Sequence, residues 1–161
     1  MLWPLLKTVV FSVLVPGSVG LLIPRLLLNP RDSWRFFPAA QEGLGAAIVV
    51  AGSLVYLWCA WDFTAKGLGT PAPMDAPKKL VVHGLYRYTR NPMYVGVSGM
   101  ILGQALYYGS LAIGVYLILV LGLFHTFVFF YEEPTLRRLF REEYDEYCRQ
   151  VPRWLPRLPH T

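Results

Sequence analysis

One feature constrains this chain more than any other: from Asn91 to Tyr131 it runs 41 residues without a single Asp, Glu, Lys or Arg. As one helix at about 1.5 Å per residue the run would measure roughly 60 Å, whereas a bilayer's hydrocarbon core is about 30 Å thick. It must therefore fold back as a hairpin of two spans. The break falls at Tyr107-Tyr108-Gly109-Ser110, where interfacial aromatics adjoin a glycine and a helix-capping serine. Two further apolar stretches, Thr8 to Leu28 interrupted by Arg25, and Gly43 to Trp61, are each of spanning length. The expectation is one all-α, polytopic membrane domain over residues 1–161, with spans near 5–28, 43–62, 92–107 and 110–131, a loop over 63–91 and a tail over 132–161.

Composition agrees. Of 161 residues, 55% are hydrophobic and 16% charged, where a soluble domain is about a quarter charged. The mean hydropathy of +0.41 also excludes disorder. A formal charge of +5 raises the question of nucleic acid, but the basic residues punctuate apolar runs instead of lining one face, so no nucleic-acid partner is expected. They fit loops beside membrane spans. Twelve Lys and Arg (Lys7, five in the long loop, six in the tail) fall on one side of a four-span topology, against Arg25, Arg31 and Arg35 on the other. The positive-inside tendency makes the first side cytoplasmic.

Cys59 lies in an apolar run and Cys148 in a charged tail, so both read as free thiols. The first apolar run contains Pro16 and Pro24 and no small-residue cleavage site, so it reads as a retained helix. The loop from Asp62 to Arg90, with Gly67, Gly69, Pro71, Pro73 and Pro77, is irregular. In the tail, Leu136, Leu139, Phe140, Tyr144, Tyr147 and Cys148 recur at helical spacing, which predicts an amphipathic helix from Pro134 to Gln150; Pro152, Pro156 and Pro159 follow it.

Two places can carry chemistry. The stretch LVVHGLYRYTRNPMYVG, Leu80 to Gly96, crosses from the loop into the third span. Asn91 suits an N-cap and Pro92 a first helical turn. Snorkelling Arg87 and Arg90, with Tyr86, Tyr88 and Tyr94 as an interfacial belt, would account for the same residues without function. The second place is the pair Glu132 and Glu133 beside Pro134, which either favours the N-terminal end of the tail helix or serves a site. His125, inside the last span, is either a functional group or a neutral imidazole bonded to a neighbouring helix. There is no phosphate-binding glycine motif, nucleophile elbow or Cys/His cluster at metal spacing.

Taken in order, GLYRYTRNPMYVG, a hydrophobic hairpin and EEPTLRRLFREEYDEYCRQVPRWLPR resemble the isoprenylcysteine carboxyl methyltransferase and phospholipid methyltransferase superfamily, over roughly Gly67 to Arg157. The resemblance implies an S-adenosylmethionine-dependent methyltransferase of the membrane that acts on a lipophilic methyl acceptor. It assigns cofactor contacts to Lys78, Lys79, Leu80 and Val81, to Tyr86, to Asn91, Pro92, Met93 and Tyr94, and to Glu132. Arg90 and Glu133 are the candidates for catalysis. The chain departs from the prenylcysteine pattern twice: Asn91 replaces a histidine, and Val128 replaces a substrate-contacting arginine one turn before Glu132. The first loses an acid–base group, the second a bidentate partner for a carboxylate. The label implied is isoprenylcysteine carboxyl methylation, with phospholipid amine and small-thiol methylation as alternatives. A nicotinamide-dependent sterol-type reductase and a non-catalytic scaffold are the rivals from other classes.

Overall fold

The computed structural model describes residues 8–29, 34, 36–65 and 80–156, and every regular element among them is helical. Helix α1 (Thr8–Leu26) is π-helical over Val13–Leu22, with Pro16 inside that stretch. Proline brings no amide hydrogen and crowds the preceding turn, and a wider register accommodates it. Neighbouring helices tie down this stretch. Gln104 Nε2 donates to the carbonyl of Gly20 (2.6 Å), Tyr116 Oη to that of Val19 (3.0 Å), and Tyr56 Oη to Ser12 Oγ (2.7 Å).

Helices α2 (Pro38–Ala65) and α3 (Pro92–Tyr108) form the tightest pair. Gly45 and Gly52 on α2 oppose Gly103 and Gly96 on α3; a Cβ on Gly45 would lie 2.6 Å from the Gly103 carbonyl, and one on Gly52 2.6 Å from that of Gly96. Small residues let backbones touch, which is how helices associate where lipid removes the hydrophobic drive. Helix α2 begins at Pro38 and ends at Ala65, outside the expected 43–62 at both ends.

The hairpin forms where expected. Gly109 ends α3 with φ +60, a left-handed conformation that glycine adopts without strain, and Ser110 Oγ accepts from the amide of Ile113 to open α4 (Leu111–Phe127). Among the described residues, three helical stretches are long and apolar enough to cross a membrane: Thr8–Leu26, Pro38–Asp62 and Leu111–Phe140. Helix α3, at 17 residues, is at the short end of the spanning range. It is enclosed by α1, α2 and α4, with Val97, Met100, Ile101 and Ala105 in the core. Leu54, Leu111, Ile118, Leu119, Leu123 and Phe130 face outward, the arrangement a hydrocarbon solvent favours.

The tail departs from expectation in three ways. The fourth span does not stop at Tyr131: a π-helical turn over Val128–Glu132 leads straight into α5 (Glu133–Phe140), so helix continues from Leu111 to Phe140. Pro134 sits in the first turn of α5, where its missing amide hydrogen follows the already irregular π ladder. The amphipathic helix from Pro134 to Gln150 is two helices, α5 and α6 (Glu142–Gln150), because Arg141 has φ 47° and ψ −119°. Leu139, on α5, faces outward, 52% exposed, while Leu136, Phe140 and Cys148 pack with Tyr144, Tyr147, Val151 and Leu80. Both cysteines are free thiols.

Candidate functional site

The site is assembled where the segment before α3 meets the π turn and the tail. A 3₁₀ turn over Gly84–Arg87 buries Tyr86, which clusters with Val81 and Cys59, while Leu85 and Met93 pack alongside. The Tyr86 carbonyl accepts from Tyr147 Oη at 2.8 Å. Burial pushes both phenols above their ordinary range, so each stays protonated and Tyr147 remains a donor. Lys78 and Lys79 lie outside the described residues. Leu80 is partly buried against the tail, and Pro92 is fully buried at the start of α3.

After α6 the chain does not leave the body of the protein. Residues 151–156 form a strap that lies back across Thr89, Arg90 and Asn91. The Arg90 amide donates to the Pro152 carbonyl (2.9 Å), and Asn91 Nδ2 to that of Arg153 (3.0 Å). Thr89 Oγ1 reaches the carbonyls of Arg153 and Trp154, both at 3.0 Å. Asn91 is thus the N-cap of α3 by position, but its side chain holds the strap and makes no cap bond.

The two adjacent glutamates have different surroundings. Glu133, 5% exposed, receives Arg153 Nε and Nη2 in a fork at 2.7 and 3.0 Å, and Arg90 Nη1 at 3.1 Å. The bond to this carboxylate holds the Arg153 guanidinium above its ordinary range. Arg153 also lies 5.3 Å from the Phe129 ring centre, and Arg90 Nη1 reaches Cys148 Sγ at 2.8 Å. Arg90 and Glu133, the sequence's candidates for catalysis, are therefore partners of each other and of Arg153. Glu132 has one partner among the described residues, Tyr94 Oη at 2.9 Å, and no arginine. An aromatic wall adjoins it. Tyr94 packs on Phe124 (4.7 Å between ring centres) and edge-on to Trp154 (6.4 Å). Trp154 Nε1 donates to His125 Nδ1 at 3.3 Å, so His125 is bonded to the strap and not to a neighbouring helix.

Of the positions singled out from sequence, the described ones gather around this junction. Val128 is 1% exposed at the first residue of the π turn. Arg153, Trp154, Thr89 and Phe124 escaped the sequence reading. The signal for the first two was an Arg-Trp pair bounded by Pro152 and Pro156, which marks a segment too short for a helix and rich in binding groups.

The Glu132 carboxylate, in the widened turn of a long apolar helix and beside aromatic faces, is suited to a cationic ligand. Comparison with known proteins agrees in class. The chain matches the phospholipid methyltransferase family over residues 40–143, well over half its length, and belongs to that family. It is 34% identical over 80 residues to a protein-S-isoprenylcysteine O-methyltransferase of Schizosaccharomyces pombe, an overlap of 50% of this chain and 34% of that protein. The match thus spans about a third of that relative's length. No solved structure matches the chain.

Proposed function

We propose that this protein transfers a methyl group from S-adenosylmethionine to a lipophilic acceptor at the cytoplasmic surface of a membrane. The observation that carries the reading is the contrast between the glutamates: Glu133 is neutralised by two arginines, while among the described residues Glu132 has a tyrosine as its partner and no cation. When bound, the donor supplies a methyl group on a sulfonium centre, together with an ammonium, a carboxylate and an adenine. Glu132, oriented by Tyr94, offsets its positive charge. Tyr86, Met93, Tyr94 and the strap exclude water from the reacting atoms, and Leu80, Val81, Asn91 and Pro92 complete the wall; by resemblance Lys78 and Lys79, outside the described residues, supply positive charge for the donor's anionic group. Methyl transfer is an in-line displacement, so positioning and a dry site are the main demands on the chain. The excess of positive charge on the loop and tail side sets the site on the cytoplasmic face.

The acceptor proposed first is the carboxylate of an isoprenylcysteine-like lipid, following the relative's chemistry. A specific observation favours a phospholipid amine as the second reading: Arg90 and Arg153 are both engaged with Glu133, and Val128 offers no charge. Calorimetry in detergent with adenosylmethionine, adenosylhomocysteine and NADPH tests the cofactor, and Glu132→Gln is expected to weaken adenosylhomocysteine binding by about 1.5 to 3 kcal/mol. Wild-type affinity in that variant, or binding of NADPH alone, would overturn the reading. Radiolabelled transfer to a farnesylated cysteine analogue, phosphatidylethanolamine and an alkyl thiol, with wild type and Val128→Arg, identifies the acceptor. An improvement confined to the farnesylated carboxylate in Val128→Arg marks the amine reading as correct for the wild type.

A further inference from the structure

The strap at residues 151–156 holds Trp154 in one place. Both backbone carbonyls leading into it are bonded by Thr89, the one before that by Arg90, and the adjacent Arg153 is forked onto Glu133. Its side chain is fixed again at the far end by the bond from Nε1 to His125 Nδ1. Held this way, the indole stands edge-on to Tyr94, whose other neighbour is Phe124. Tyr94 thus has two aromatic neighbours among the described residues, and its hydroxyl is the one described partner of Glu132.

We propose that Trp154 is a positioning residue for the Tyr94–Glu132 pair, so that the carboxylate which receives the methyl donor is aimed by a residue of the C-terminal strap. The inference rests on the donor-site reading above. It follows that the strap completes the site, and that a defect at Trp154 reaches Glu132 through Tyr94. An edge-on aromatic contact restrains its partner by an amount equivalent to about threefold to tenfold in an equilibrium constant.

The test is a double-mutant cycle on the full-length protein in detergent, with adenosylhomocysteine as the probe in calorimetry. Trp154→Ala is expected to weaken binding about threefold to tenfold, and Trp154→Phe, which keeps an aromatic edge, to restore most of it. Tyr94→Phe is expected to weaken binding in the wild-type background but to add little to Trp154→Ala, since both act through one hydroxyl. Should the alanine variant not fold, Trp154→Leu keeps bulk without the ring faces and is expected to lose the same factor. Independent, multiplying losses, or wild-type affinity in Trp154→Ala, would overturn the proposal. Binding that depends on Glu132 yet ignores Trp154 overturns this inference alone, whereas no binding by the wild type, or none lost in Glu132→Gln, removes the donor-site reading and this inference with it.

Discussion

The contact between α2 and α3 makes a quantitative demand on Gly103. Replacing it with alanine would place a methyl 2.6 Å from the Gly45 carbonyl oxygen, 2.7 Å from the Val49 amide nitrogen and 2.7 Å from Val49 Cγ2, where ordinary contact is 3.4–4 Å. Two of those three atoms are backbone, so rotamer changes cannot relieve the clash, and the helices must part by roughly 1 Å in a close-packed interior. Separation forfeits van der Waals contact along the pair, and lipid tails return no hydrophobic compensation. Overpacking costs about 1–3 kcal/mol, and a clash with backbone on two sides belongs at the upper end, near 3 kcal/mol. The internal control is Gly114→Ala on α4: nothing lies within 4 Å of its added Cβ, and a helical glycine-to-alanine change there is expected to stabilise by about 0.5–1 kcal/mol. The assay is reversible unfolding in mixed micelles, titrated with a denaturing detergent and followed by circular dichroism. If Gly103→Ala unfolds at the same midpoint as wild type or as Gly114→Ala, the close approach of these helices is refuted, and with it the account of why glycines recur seven residues apart on both.

Two further outcomes are expected. Glu133→Gln leaves Arg90 and Arg153 without their counter-ion in a buried place and should destabilise by about 3–5 kcal/mol, whereas Glu132→Gln should unfold close to wild type; equal stability of the two variants in the same assay would contradict their separate surroundings. Arg141→Gly relieves a side chain held at φ 47° and ψ −119° and should stabilise by about 1 kcal/mol, a gain read as a higher thermal midpoint and absent if the break between α5 and α6 is not real.

What could be read from the chain beforehand follows from where its information lies. The hairpin was legible because the 41-residue uncharged run exceeds one span and Gly109-Ser110 carries the chemistry of a stop followed by a start. The gathering of Tyr86, Asn91, Tyr94 and Glu132 was legible through motif resemblance, which encodes proximity that periodicity cannot. The strap was not, because residues 152–154 are gripped mainly through their carbonyl oxygens, and a main-chain acceptor has no signature in a side-chain pattern. The continuation through Glu132 and Pro134 was hidden for a related reason. Charges beside a proline look like an end, and only the widened turn before them lets the helix proceed. Leu139 illustrates the remaining limit: it shares α5 with Leu136 and Phe140, which pack on the tail cluster, yet it faces outward, because helical spacing does not say how much of an apolar stripe the next helix covers.

The widened turn over Val128–Glu132 also makes this junction sensitive to length. Each residue of an α-helix advances about 100° around its axis, and the extra residue of a π turn sets the phase of everything that follows. Inserting one further residue there, beyond the one the widened turn already absorbs, would swing α5, with the strap behind it, through about a quarter turn relative to the bundle. Glu133 would rotate away from Arg90, and the strap's carbonyls would miss Thr89 and Asn91, with every side chain of the site still present. Substitution of residues 128–131 should thus be better tolerated than insertion of one more, and an insertion in this turn is a means of uncoupling the membrane hairpin from its tail without replacing a single polar side chain.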